Sequence, residues 1–124
     1  IIIITDMHDD SSSNDDGLYD DMLAGMAAPV GKGLHTAEKT LQKAIIQKER
    51  VFQIDGLDLQ DLGFMQQRKW SSLEEVYLRK NMVSNIEVLN QFPSLRTVDA
   101  SNNYIEEVHL YLPNLETLNL KNNY

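Results

Sequence analysis

Three histidines, a pair of serines set among acids and a dense run of aspartates are the side chains here with reactive potential. His8, His35 and His109 could hold a metal or move a proton, but none is followed by a second His at the helical spacing metal binding uses. No H-E-x-x-H or P-loop signature occurs, and His109, between Val108 and Leu110, is expected to face solvent. The stretch "HDDSSSNDDG" resembles a calcium loop until its register is tested. With Gly17 at the sixth position, Ser12 falls first and Leu23 falls twelfth, where a bidentate Glu is required. Ser12 and Ser13 each have Asp three residues on, which marks them as candidate sites for an acid-directed kinase. The chain has no cysteine, so disulfides, zinc–thiolate sites and thiol nucleophiles are excluded. No set of nucleophile, base and oxyanion donors can be assembled. The expectation is a chain that is not an enzyme, with no metal and no cofactor.

What the sequence does carry is a repeated spacing. "LEEVYLRKN" at 73–81, "LRTVDASNN" at 95–103 and "LETLNLKNN" at 115–123 superimpose without gaps on L-x-x-L-x-L-x-x-N. Val76 and Val98 stand in as aliphatics, and Ala100 is undersized. The windows start 22 and then 20 residues apart, inside the range of leucine-rich repeats. Val83, Ile86, Leu89 and Phe92 are expected inward on one return arc, and Ile105, Val108, Leu110 and Leu112 on the next. "IDGLDLQDL" at 54–62 reads as a degenerate first coil, with Leu62 in the Asn slot and Phe64 and Trp70 as padding beneath it.

A coil of this kind contributes a short parallel strand whose side chains alternate inward and outward. Stacked neighbours then close one another's apolar edges. Asn81, Asn103 and Asn123 are expected to bond backbone groups left unpaired at the bends, a structural ladder. The outward positions form an expected concave face: Asp58 and Gln60, then Glu75, Tyr77 and Arg79, then Thr97, Asp99 and Ser101, then Thr117, Asn119 and Lys121. Such faces recognise other proteins, and Tyr and Arg make strong anchors, so Tyr77 and Arg79 lead. Arg79 is also placed to pair with Asp58 or Asp99. Tyr104 and Tyr124 are expected on the rim.

The remaining elements must support this array. Residues 1–33 form an acidic leader, with a short helix possible near 18–27 where Leu18, Met22, Leu23 and Met26 fall at helical spacing. Residues 34–50 form an amphipathic capping helix, with Thr36 as cap, Glu38 in the first turn, and Lys48 and Arg50 in the last. Residues 51–124 carry the repeats, with coils starting near 54, 73, 95 and 115. The array breaks off after Asn123 and the first residue is not Met, so the chain is expected to be part of something longer. The net charge of −8 is uneven: residues 1–35 hold seven Asp against one Lys. With no basic concentration to neutralise phosphates, nucleic acid is not an expected partner. "IIII" is too short for a membrane span.

The repeat windows resemble the short leucine-rich repeats of the phosphatase-regulating Sds22-like subfamily. That resemblance implies an α/β solenoid of short parallel strands and a protein partner. The acidic leader, the "GKGL" segment, the helix and the 20-residue repeat containing "LPNLETL" are together similar to leucine-rich proteins of ciliary radial spokes. This second resemblance implies a cytoplasmic, axonemal scaffold subunit that binds other proteins of a large assembly. A helix leading into an "L-D-L" coil is also similar to the leucine-rich subunit of a spliceosomal particle, which again binds a protein. Alternatives are a regulatory subunit of a protein phosphatase and the binding domain of a larger enzyme.

Overall fold

The computed structural model of the chain describes the backbone of residues 2–4 and the whole of residues 32–124. Ser12, Ser13, His8 and the possible helix near 18–27 lie outside the described residues. The described residues form a small α/β fold, a sheet of short parallel strands with one α-helix. Four strands follow one another as Val51–Gln53 (β2), Glu75–Tyr77 (β3), Thr97–Asp99 (β4) and Thr117–Asn119 (β5), each pairing in parallel with the next. A fifth, Ile2–Ile4 (β1), lies beside β5, so the order across the sheet is β1-β5-β4-β3-β2. The helix, Lys32–Ile46 (α1), packs at the β2 end.

Parallel pairing needs a crossover between strands, and here each crossover is a long return segment containing little more than a 3-10 turn. Gly63–Met65 provides one such turn and Glu87–Gln91 another. Registers are regular: Phe52, Val76, Val98 and Leu118 stand side by side at the centre of their strands. Period-two alternation then sends these four inward, followed two residues on by Ile54, Leu78, Ala100 and Leu120. All eight are buried. The return segments bury Val83, Ile86, Leu89, Phe92, Ile105 and Leu112 against them, with Leu110 partly buried, as the spacing anticipates. Val108 departs from expectation: it is exposed, because this shorter return closes with Ile105, Leu112 and, in part, Leu110. Burial is complete at Leu73, Val76 and Leu78, whereas Leu115, Leu118 and Leu120 keep 5–7 % exposure.

The helix begins and ends earlier than residues 34–50. Thr36 does not cap it; its hydroxyl lies inside the helix and donates back to the Lys32 carbonyl at 3.2 Å. Glu38 stands beyond the first turn, and the last turn holds Lys43 rather than Lys48 or Arg50. Lys48 has left the helix with φ of 54°. Of the face that helical spacing assigns to Ala37, Leu41, Ala44, Ile45 and Lys48, the first three are buried and Ile45 partly so, while Lys48 lies past the helix end. Gly33 lets the helix approach the chain at Leu57, since a Cβ at residue 33 would stand 1.7 Å from the Leu57 carbonyl oxygen.

The first strand corrects the reading of residues 54–62. Strand pairing starts at Val51, and Ile54 takes the place of Leu78, not of Leu73. Leu57 therefore occupies the position of Asn81, and Leu62 is an ordinary buried residue of the return segment. Alternation in Val51-Phe52-Gln53-Ile54 matches that of Glu75-Val76-Tyr77-Leu78 and is the signal for this register. The leucines at 57, 59 and 62 mimic a repeat start while serving the loop. Phe64 and Trp70 do pack under Phe52, edge to face at 6.4 and 5.3 Å between ring centres.

Candidate functional site

The ladder asparagines come first, because they fix the surface beside them. Asn81, Asn103 and Asn123 are all buried. Asn81 Oδ1 accepts from the Leu57 and Leu59 N–H groups, both at 3.0 Å, and its Nδ2 reaches the carbonyls of Ile54, Leu78 and Arg79. Asn103 accepts from Val83 N–H and donates to Leu78, Ala100 and Ser101. Asn123 accepts from Ile105 N–H and donates to Ala100, Leu120 and Lys121. Both polar atoms of each side chain are spent on backbone, which stitches each turn to the preceding one and leaves nothing for chemistry.

The residue before each rung, and before Leu57 in the equivalent place, is in the left-handed region: Gly56 at 65°, Lys80 at 57°, Asn102 at 58° and Asn122 at 59°. This conformation turns the chain inward at the end of every strand. Gly and Asn suit it, and Lys80 does not. Sequence reading missed this position, although "NN" before the second and third rungs is its trace.

The outward strand positions form three rows across β2–β5. One holds Val51, Glu75, Thr97 and Thr117; the next holds Gln53, Tyr77, Asp99 and Asn119. The third, two residues on, holds Asp55, Arg79, Ser101 and Lys121. Asp58 and Gln60 are not in these rows: both lie on the loop that follows the turn at 55–56, Asp58 with φ of 55°. Their places belong to Val51, Gln53 and Asp55, as the corrected register requires. Ser101 is in its row but buried, its hydroxyl and N–H both donating to Asp99 Oδ1, so it presents no contact surface.

Tyr77 and Arg79 are brought together at the centre. The Arg79 guanidinium stands 5.6 Å from the centre of the Tyr77 ring, within cation–π range. The Tyr77 hydroxyl donates to Glu75 Oε1, which raises its pKa by favouring the protonated phenol. Arg79 pairs with Asp55 rather than with Asp58 or Asp99: its backbone N–H donates to Oδ1 at 2.7 Å and its guanidinium to Oδ2 at 2.9 Å. Burial pushes the Asp55 carboxyl up. The bonds from Arg79 and from the Gln53 amide together outweigh that and hold the carboxyl below its ordinary value. Asp55 thus ties Arg79 at both backbone and guanidinium.

A row that the sequence did not disclose runs along the entry to the strands. Arg50, Glu74, Arg96 and Glu116 alternate in sign across neighbouring turns, with N···O separations of 3.9, 3.7 and 2.9 Å. These are exposed pairs, each worth about 0–1 kcal/mol. His109 is exposed, with Nε2 at 3.2 Å from Glu107. Among the described residues no three His, Cys, Asp or Glu side chains are grouped to hold a metal. Nor is any helix there long and apolar enough to cross a membrane. Comparison of the chain with family models, with curated proteins and with solved structures gives no match in any of the three.

Proposed function

We propose that the chain is a leucine-rich-repeat solenoid of the Sds22-like kind and a non-catalytic scaffold that holds another protein on its strand face. The observation that carries this reading is the division of labour along each turn. Aliphatic residues and the ladder asparagines are consumed internally, while Glu75, Tyr77, Arg79, Thr97, Asp99, Thr117, Asn119 and Lys121 remain outward on a rigid sheet. Tyr77 and Arg79, preset by Glu75 and Asp55, supply the anchor that recognition by such a face uses. The partner belongs to a ciliary axonemal assembly such as the radial spoke. That assignment rests on the resemblance of the leader, the helix and "LPNLETL".

The test is affinity purification with the wild-type chain and a Tyr77→Ala/Arg79→Ala double variant. Spoke or dynein proteins captured by the wild type support the axonemal reading. A stoichiometric phosphatase catalytic subunit would instead identify a phosphatase regulator. In either case the double variant should bind on the order of ten-fold more weakly at nearly unchanged Tm. Equal binding by the two chains refutes the strand-face assignment.

A further inference from the structure

Where the chain leaves the ladder asparagines it opens a second surface. A groove of about 590 Å³ is lined by Ser84, Asn85, Glu87, Tyr104, Glu106, Glu107, His109 and Tyr124. Its residues belong to the segments that follow Asn81, Asn103 and Asn123, so it lies past the carboxyl ends of the strands rather than on their outward rows.

Two features specify what would fill it. The Tyr104 and Tyr124 rings are stacked, 5.7 Å between centres and 24° between planes, yet Tyr104 remains 42 % exposed. Stacked aromatic faces left open to solvent present a negative π surface. Around them stand Glu87, Glu106 and Glu107. Among the described residues neither Glu87 nor Glu106 makes an ion pair, and Glu107 meets only His109. The groove contains no Lys or Arg. Planar aromatic walls beside free carboxylates match the guanidinium, which stacks flat on a phenol ring and takes a carboxylate through paired N–H groups. An ammonium is more strongly hydrated and offers no plane to stack.

We propose that this groove docks an arginine-bearing basic segment of a partner protein, with the guanidinium lying on the Tyr104–Tyr124 pair and held by Glu106 and Glu107. The surface is separate from the strand face and requires no partner there.

The experiment uses the full chain and a fluorescein-labelled nine-residue peptide of alternating Arg and Ser, followed by fluorescence anisotropy at about 0.1 M salt. Saturable binding is expected, weaker for the Lys–Ser peptide by about three-fold. Tyr104→Ala should reduce affinity by about five-fold. Glu106→Gln/Glu107→Gln should reduce it further, whereas Glu38→Gln/Glu49→Gln, which removes the same charge elsewhere, should leave it unchanged. Equal losses in the two glutamine variants would mean that net charge alone attracts the peptide, and the proposal fails. It also fails if Tyr104→Ala binds as the wild type does while its circular dichroism is native. Tyr77→Ala/Arg79→Ala should bind the peptide normally, so failure of the strand-face reading leaves this result independent.

Discussion

At the scale of single residues, the ladder asparagines, Asp55 and a recurring left-handed backbone position explain most of what is specific about this surface. The ladder asparagines were legible because a buried amide must recur wherever the turn recurs, so Asn81, Asn103 and Asn123 show up as a period. The left-handed residue before each rung was not legible, since Gly56, Lys80, Asn102 and Asn122 share a conformation but not a residue type. Lys80 bears the cost of a Cβ there. Replacing Lys80 with Gly should therefore raise stability by about 1 kcal/mol, measured by urea denaturation at neutral pH. A loss of stability would mean that the Lys80 side chain contributes more than its backbone costs. Asp55 was likewise invisible until the register of β2 was known, yet it grips Arg79 at both backbone and guanidinium. Its carboxyl titrates below the ordinary 3.8, so its contribution is complete above that value and is lost as pH falls through the lower folded-state value. Asp55→Asn should show less loss of stability between pH 6 and pH 3 than the parent chain does. Parallel losses would remove Asp55 from the account.

At the scale of elements, strand alternation was read correctly for β3, β4 and β5 and misread for β2. The reason is physical. Leu57, Leu59 and Leu62 satisfy a leucine template while packing a return loop, and a template fitted to leucines cannot distinguish the two duties. Phe52 and Ile54 are the inward pair, and aromatic bulk at residue 52 is accommodated because Phe64 and Trp70 fill the space at this end. Trp70 is fixed as well as buried, its indole N–H donating to the Glu49 carbonyl at 2.8 Å. The helix stripe was legible from its period, whereas its bounds were not, nor was the close approach of Gly33 to the Leu57 carbonyl. Gly33→Ala should therefore push the first turn of α1 off the sheet end. The expected loss is about 1–3 kcal/mol, the usual range for overpacking, read as a lower urea midpoint. An Ala variant as stable as the parent would show that the first turn yields freely.

At the scale of the whole molecule, the sheet grows by addition of near neighbours until its last strand. Pairs β2–β3, β3–β4 and β4–β5 each join segments only one turn apart, and sequence periodicity foretold the last two of them. The β1–β5 pair had no such trace, since "IIII" belongs to no repeat and its partner lies almost a full chain length away. Two kinds of closure thus coexist in one sheet. Short-range pairs cost little chain entropy and can propagate from any starting point, whereas docking β1 must close the longest loop available for one three-residue strand. Amide hydrogen exchange should follow the same order. The β3–β4 backbone is expected to exchange slowest and the β5 amides facing β1 sooner, because releasing β1 exposes them without disturbing the interior. On that ordering the edge strand is expected to act as a latch, opening far more often than the sheet it covers.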